Sequence, residues 1–321
     1  MNERIKPRAL KKGDRVAVVS PSTAVRREDA ELAKQAVEAL QLEPVMYPTC
    51  FAQHRHLSGT DEERARDVMN AFANDSVHAV FSLGGGYGAS RILPLLDFDV
   101  IRRNPKIFTG YSDITALHTA IGVKSGLVTY HAPMPTDNNG FYKKVYDQIV
   151  FEPYTLAAFT RALFSNEPIG AVVPPEGQTY GALSQGVAEG ELTGGNLDLV
   201  THLLGTPWEI DTKGKILFLE EVHEYSYKVD KYLTALRLSG KLQQCAGIVL
   251  GSWTDCGEPR NTMIDVPLEA VLEDAFASLG IPVLTNCPVG HTWPQATLSL
   301  GARVRVDCNR RTLEYLESGN C

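Results

Sequence analysis

The fold is decided by the stretch Lys106-Ile-Phe-Thr-Gly-Tyr-Ser-Asp-Ile-Thr115, in which an apolar strand passes through a tight turn into a helix. We predict the strand over residues 106–110 and the helix over residues 113–123. Strands that alternate with helices indicate a parallel sheet with helices on both faces. The preceding chain alternates in this way, with strands predicted at residues 15–20 and 77–83 and helices at residues 29–40 and 60–74.

A proline- and glycine-rich stretch at residues 165–185 divides the chain and is typical of a linker. Beyond it, the pattern predicts strands at residues 186–192, 215–219 and 246–250, helices at residues 230–238 and 268–278, and a hairpin within residues 297–316. We therefore predict an α/β protein. An N-terminal parallel-sheet α/β domain spans residues 1–165, a linker follows over 166–185, and a smaller mixed, β-rich domain spans 186–321.

The composition is that of an ordinary globular protein, with 44% apolar and 21% charged residues among 321. The formal net charge of −7 disfavours general binding to nucleic-acid phosphates. No run approaches the roughly 20 apolar residues of a membrane span, and the first residues lack the apolar segment of a signal peptide. We therefore expect a cytoplasmic protein that binds neither nucleic acid nor membrane. Six scattered cysteines predict reduced thiols.

Ser112 lies where the predicted strand meets the predicted helix, which is the position of the serine in a nucleophile elbow. The helix N-terminus would offer backbone amides and a partial positive charge to an oxyanion. Ile114 stands where the usual Gly-x-Ser-x-Gly pattern has its second glycine. The position also suits a serine that merely caps a helix, so spacing alone leaves both interpretations open.

Two further segments carry groups that could serve a site. The glycine run at residues 84–88 follows a predicted strand, and such a loop either aims amides at an anion or simply makes a tight turn. It matches neither a P-loop nor a dinucleotide-binding loop. Glu220 and Glu221 follow the apolar strand at residues 215–219. Acids at this position either form part of a site or are solvated loop residues.

Histidine and cysteine positions leave several alternatives. His291 follows a strand-like segment, although a lone histidine is more often structural. Cys287 lies four residues earlier and raises the alternative of a cysteine nucleophile. His54 and His56 could pair on a metal, but no carboxylate-rich partner is adjacent. We therefore predict no metal site.

Together these segments resemble the LD-carboxypeptidase family of serine peptidases, relatives of the microcin C self-immunity peptidases. The resemblance covers nearly the whole chain, and the number and order of its short motifs make it specific. The motifs lie at residues 10–22, 59–64, 85–88, 91–97, 110–115, 130–134, 191–197, 219–221 with 227–230, and 288–291. Two positions depart from the family pattern: Gly84 stands where many members have arginine, and Ser226 stands where proline is expected.

The resemblance implies a catalytic triad divided between the two predicted domains. Ser112 matches the family nucleophile, and His291 matches the general base. The family glutamate maps to Glu220, with Glu221 as the alternative.

The resemblance also implies groups around this triad. The backbone amides of Asp113 and Gly86 would form the oxyanion hole. Tyr87, Asn196 and Glu221 are candidates for substrate binding.

The implied activity is that of a serine-type muramoyltetrapeptide carboxypeptidase. It would release terminal D-alanine from cytoplasmic peptidoglycan tetrapeptides, at the bond joining an L-centre to a D-residue, during murein recycling. The resemblance implies no cofactor, a muropeptide or other small peptide as substrate, and a homodimer. Two alternatives remain: a microcin C-type self-immunity peptidase that cleaves aminoacyl-nucleotide amides, and a catalytically inactive muropeptide-binding protein.

Overall fold

The computed structural model describes residues 4–136, 140–145, 148–257 and 266–321. Its contacts divide the chain into two compact units, each made from more than one segment. The first unit contains Met1–Pro168, Pro294–Gly301 and Ser318–Cys321, and the second contains Ile169–Trp293 and Ala302–Glu317.

Strands and helices alternate over residues 15–131, as the apolar pattern indicates, and two further strands and a helix follow. They are β1 (Arg15–Val19), α1 (Arg27–Ala39), β2 (Glu43–Met46), α2 (Asp61–Ala73), β3 (Ala79–Ser82), α3 (Phe98–Arg103), β4 (Ile107–Gly110), α4 (Thr115–Lys124), β5 (Thr129–His131), β6 (Tyr142–Val145), β7 (Gln148–Phe151) and α5 (Pro153–Leu163). Short 3-10 helices span Pro48–Cys50, Ala89–Leu95 and Ser112–Ile114.

The second half is richer in strands. It contains β8 (Gly181–Ser184), β9 (Val187–Asn196), α6 (Leu197–His202), β10 (Ile216–Val222), α7 (Ser226–Leu238), β11 (Gly247–Thr254), α8 (Leu268–Phe276), β12 (Val283–Thr285), β13 (Leu298–Leu300), β14 (Arg303–Asp307) and β15 (Thr312–Tyr315). Within the described part of the chain, no helix combines the length and the apolar character needed to cross a membrane.

The first unit is built on a six-stranded sheet in the order β13-β5-β4-β3-β1-β2. Strands β1 to β5 run parallel, and β13 is antiparallel to β5. Strand β1 is fully buried from Val16 to Val19, as expected for a strand covered on both faces. Because these strands are parallel, the loops that follow β1, β3 and β4 emerge at the same edge of the sheet.

A pair of capping hydrogen bonds sets the start of α2. The Thr60 side chain accepts a hydrogen bond from the Glu63 amide at 3.2 Å, and the Glu63 carboxylate accepts one from the Thr60 amide at 2.8 Å. This reciprocal pair is a capping box, and it explains why α2 begins at Asp61. The predicted helix over residues 113–123 is present as a 3-10 turn followed by α4.

The second unit is built on a seven-stranded mixed sheet in the order β15-β14-β9-β10-β11-β12-β8. The four central strands β9 to β12 are parallel, whereas β8, β14 and β15 pair antiparallel at the margins. Side chains of β10 and β11 form an apolar cluster with α7 and α8, including Leu217, Leu250, Leu233 and Phe276. The second unit is therefore the mixed, β-rich domain that the sequence predicts.

The structure differs from the predicted division of the chain in two respects. Within the predicted linker, residues 181–184 form β8, and the Val172 amide bonds the Leu313 carbonyl at 2.9 Å inside the second unit. The predicted hairpin is present as β14 and β15, but β13, in the same predicted stretch of residues 297–316, joins the sheet of the first unit. Proline and glycine mark turns inside a domain as well as between domains, and strand alternation does not identify the sheet that a strand joins.

Candidate active site

The turn after β4 holds Ser112 in a left-handed backbone conformation, with φ of +62°. A non-glycine residue adopts this conformation at a cost of about 1–3 kcal/mol, and such residues concentrate at functional sites. Gly110 makes the turn possible, since a Cβ atom there would lie 2.7 Å from the Ile114 side chain. The Ile114 side chain therefore packs beside Gly110, at the position where the usual Gly-x-Ser-x-Gly pattern has its second glycine.

His118 supports this turn from α4, a role that the sequence did not signal. Its Nε2 donates to the Gly110 carbonyl at 2.9 Å, and the Ala132 amide donates to the same oxygen at 3.1 Å. Burial lowers the pKa of His118 to about 4, so the ring is neutral at pH 7. A neutral ring has one N–H group, and here it bonds the carbonyl of the Gly110–Tyr111 peptide, just before Ser112.

The glycine loop, defined here as residues 84–89, lies against Ser112. A Cβ atom on Gly85 would lie 3.3 Å from the Ser112 hydroxyl oxygen, so the loop backbone runs close to the hydroxyl. Gly86 has φ of +98°, and a Cβ there would meet the Thr23 hydroxyl at 2.4 Å. Glycine is required at this point both for its conformation and for the lack of space.

Tyr87 extends from the glycine loop with its side chain half exposed. Its amide donates to the Thr23 hydroxyl at 3.0 Å, and its ring centroid lies 5.8 Å from that of His56. The two rings form an exposed aromatic surface next to the glycine loop. Tyr87 stays a predicted substrate contact, and its exposure suits that role.

In the second unit, Glu220 lies near the end of β10 and contacts His291. The Glu220 carboxylate is fully buried and accepts from His291 Nδ1 at 2.7 Å and from the His291 amide at 3.3 Å. Gly290 permits this approach, since a Cβ atom there would lie 2.6 Å from Glu220 Oε2. The contact fixes the proton on Nδ1 and leaves the lone pair on Nε2, the form required of a general base.

The electrostatics of His291 result from two opposing effects. Burial disfavours the imidazolium, while the charge and the hydrogen bond of Glu220 favour it. The second effect is larger, and the pKa of His291 is raised above its usual value of 6.5. The imidazolium formed by proton transfer to His291 is therefore stabilised by its partner.

Glu221 contacts a different set of groups from Glu220, at the point where the pairing of β10 with β11 shifts register between Leu219 and Glu221. Its carboxylate accepts from Asn196 Nδ2 at 2.7 Å and from the Asp198 and Val222 amides, both at 2.9 Å. Burial raises the pKa of Glu221 to about 7. Of the two adjacent acids, Glu220 is therefore the one that contacts His291. Glu221 and Asn196 are each 2% exposed and bond each other, and their role in substrate binding stays a prediction.

The geometry gives little support to the two alternatives of a Cys287 nucleophile and a metal site at His54 and His56. Cys287 is buried, and burial raises the pKa of its thiol to about 12, which keeps it protonated at neutral pH. His54 and His56 are exposed in the loop before α2. Among the described residues, no group of three or more histidine, cysteine or acidic side chains is arranged to hold a metal ion.

The two groups of candidate residues therefore belong to different units. Ser112, Asp113, Gly86 and Tyr87 lie in the first unit, at the edge of the sheet where β3 and β4 end. The other group, Glu220, His291, Glu221 and Asn196, lies in the second unit at the ends of β9 and β10 and in the loop after β12.

Comparison with protein-family models identifies both halves of the chain. Residues 16–132 match the LD-carboxypeptidase N-terminal domain, and residues 189–306 match the LD-carboxypeptidase C-terminal domain.

Individual relatives align over nearly the full length. A protein of Bacillus subtilis described as a probable murein peptide carboxypeptidase is 38% identical, over 98% of this chain and 95% of its own. The structure of an MccF-like protein from Bacillus anthracis superposes with a TM-score of 0.84 at 31% identity, covering 98% of this chain and 99% of the other. That of a muramoyltetrapeptide carboxypeptidase from Oxalobacter formigenes superposes with a TM-score of 0.79 at 30% identity, covering 94% and 97%.

Proposed function

Because the chain belongs to the LD-carboxypeptidase family, we propose that it is a serine carboxypeptidase in which Ser112, His291 and Glu220 form the catalytic triad. The observation that carries this proposal is the 2.7 Å contact between His291 Nδ1 and the fully buried Glu220 carboxylate. The left-handed Ser112 at a strand-to-helix turn supplies the other half of the argument.

The proposed reaction is acyl transfer in two steps. The Ser112 hydroxyl attacks the scissile carbonyl carbon while His291 Nε2 takes its proton. When the tetrahedral intermediate collapses, the C–N bond breaks and His291 passes the proton to the leaving amine. Water then attacks the acyl-enzyme with His291 again as base, which releases the acid and restores the serine. Glu220 orients His291 and stabilises its charge in both steps.

We further propose that the backbone amides of Asp113 and Gly86 hold the oxyanion in this reaction. The Asp113 amide is the first after the nucleophile and lies at the start of the 3-10 turn, where amides have no helical acceptor. The close approach of the glycine loop to the Ser112 side chain supports a second donor from that loop.

For the substrate, we propose a cytoplasmic peptidoglycan tetrapeptide from which terminal D-alanine is released during murein recycling. The names of the Bacillus subtilis and Oxalobacter formigenes relatives support this choice. A homodimer belongs to the same proposal and rests on the family resemblance.

The second candidate is a self-immunity peptidase that cleaves aminoacyl-nucleotide amides, and the likeness to the MccF-like protein favours it. Gly84, the first residue of the glycine loop, is consistent with a substrate other than the usual one, because it stands where many LD-carboxypeptidases carry an arginine. The same triad would serve both reactions, since each cleaves a carbonyl–nitrogen bond.

One experiment separates the two substrates. Purified enzyme is offered a muramoyl tetrapeptide and an aminoacyl sulfamoyl nucleoside or microcin C-type compound, and mass spectrometry follows both cleavages. We expect free D-alanine from the tetrapeptide at a kcat/KM well above that for the nucleotide compound. Fast cleavage of the nucleotide compound without release of D-alanine would replace the first candidate by the second. No cleavage of either, together with tight muropeptide binding, would indicate a binding protein.

A further inference from the structure

The side chain of Asp113 makes contacts that are separate from the role proposed for its backbone amide. It is 1% exposed, and its Oδ2 accepts from the Ser22 hydroxyl and from the Ala89 amide, each at 2.7 Å. A buried carboxylate costs several kcal/mol unless it is well hydrogen-bonded. These two donors come from two different loops, the one after β1 and the glycine loop after β3.

The same two loops are also joined to each other. The Thr23 amide donates to the Gly85 carbonyl at 3.3 Å, and the Tyr87 amide donates to the Thr23 hydroxyl at 3.0 Å. Asp113 therefore connects the residue after the nucleophile to both members of an already linked pair of loops.

Arg64 completes this arrangement from α2. Its guanidinium is fully buried and donates through Nη1 to the Gly88 carbonyl at 2.8 Å and also to the Pro21 carbonyl. Asp61 binds the other side of the guanidinium. The buried positive charge of Arg64 favours the ionised form of Asp113, while burial acts in the opposite direction and raises its pKa.

We propose that the Asp113 carboxylate is a positioning group, which fixes the glycine loop at a set distance from the turn that carries Ser112. The inference rests on the proposed function, because it assigns one oxyanion amide to each of these two segments. The backbone of Asp113 would then supply one amide while its side chain places the other.

This coupling matters because an oxyanion hole works only when both donors reach the oxyanion together. Loss of one donor costs about 10²–10³-fold in kcat in serine hydrolases. Ordering the glycine loop costs more backbone freedom than ordering other residues would, and Gly84, Gly86 and Gly88 all adopt positive φ. A buried carboxylate with acceptor capacity for several N–H and O–H groups restrains such a loop more firmly than apolar contacts do.

The test uses Asp113→Asn and Ser22→Ala, with Asp67→Asn as the matched control. Asp67 is also a buried aspartate of the first unit, and it accepts a backbone amide at 2.8 Å, but that of Thr49. Asp113→Asn keeps the side-chain volume, and Ser22→Ala removes one donor while leaving Asp113 intact. Melting temperature and circular dichroism check that each variant is folded.

The first readout is hydrogen exchange of the resting enzyme, which does not depend on any reaction. We expect the amides of the glycine loop, above all Ala89, to exchange about tenfold faster or more in Asp113→Asn, since the acceptor of their hydrogen bond loses its charge. Ser22→Ala should show a smaller effect in the same direction. The Asp67→Asn control should leave glycine-loop exchange unchanged. Unchanged exchange in Asp113→Asn would overturn the proposed restraint, whatever the substrate of the enzyme proves to be.

The second readout is the division of the catalytic effect between kcat and KM. We expect Asp113→Asn to lower kcat by about 10²-fold with KM within about threefold of wild type, because the loop acts on the transition state. A general loss of stability would instead reduce the active fraction and scale with the melting temperature. Faster loop exchange with a wild-type kcat would overturn the positioning role. Failure of the triad itself would appear as a wild-type rate in Ser112→Ala, so the two failures are distinguishable.

Discussion

Substitution of Glu220 by glutamine removes the charge that orients His291 while conserving the side-chain volume. The carboxylate is 0% exposed and lies 2.7 Å from His291 Nδ1, so the contact is shielded from solvent. A hydrogen bond to a charged group contributes about 1.5–3 kcal/mol, which corresponds to about 10–150-fold in rate. An amide N–H facing Nδ1 would also favour the wrong tautomer, and loss of tautomer control raises the cost toward about 10⁴-fold. We therefore expect kcat to fall by about 10²–10⁴-fold.

The pH profile of kcat/KM supplies the sharper readout for this variant. His291 acts as a base only when neutral, so the activity of the wild type is lost as the pH falls through the raised pKa of His291. Without the Glu220 charge that pKa decreases, and the acidic limb of the profile should move to lower pH. Asp67→Asn serves as the comparison, because it neutralises a buried acid of the first unit that has no place in the proposed site. It should lower kcat by less than about tenfold. Equal losses in the two variants, or an acidic limb that does not move in Glu220→Gln, would refute the reasoning.

Three further predictions follow from named contacts. Gly290→Ala should destabilise the second unit and lower kcat, because its Cβ would lie 2.6 Å from Glu220 Oε2; a wild-type melting temperature and rate would contradict the described approach. Iodoacetamide and chelators should leave the rate of peptide hydrolysis largely unchanged, since burial raises the pKa of Cys287 to about 12 and the proposed steps use no metal. If a chelator inhibited the enzyme and added zinc restored its activity, the enzyme would be a metallopeptidase. The pKa of Glu221 is raised from 4.5 to about 7, so its ionisation destabilises the folded wild type as the pH rises through this interval. The free energy of unfolding of Glu221→Gln should therefore lie further below that of wild type at pH 4.5 than at pH 7.5. Denaturant titrations that show the same difference at both pH values would contradict this prediction.

Local pattern was enough to predict the first-sheet strands β1, β3 and β4 and the helices α1, α2, α4, α7 and α8, because their signals are local. The β-branched run that forms β1, and the strand-to-helix turn at Ser112, each lie within about ten residues. The capping box at Thr60 is likewise a short-range feature, and the helix that it starts extends close to its predicted end.

The position of β13 could not be predicted in this way. Its three residues alternate like those of the following hairpin, yet they pair with β5 in the first unit. The choice between sheets depends on contacts across more than 160 residues of chain, from Leu298 back to His131. Strand pairing over such a separation leaves no mark in a short window of sequence.

For the candidate site, the sequence could name residues but not their contacts. Strand alternation predicted that Glu220 and Glu221 face opposite sides, and the structure was needed to show which side meets His291. His118 and Ser22 gave no signal at all, because a buried histidine and a serine near a strand end occur widely for other reasons. Their roles depend on the carbonyl and the carboxylate that they reach across the sheet edge.

The most direct test of the central claim is to trap the nucleophile with a fluorophosphonate and locate the adduct by peptide mass spectrometry. We expect one adduct on Ser112, slowed by about 10³-fold or more in His291→Ala and absent in Ser112→Ala, with hydrolytic activity lost in proportion to labelling. An adduct on another residue, or full peptidase activity in Ser112→Ala, would contradict it.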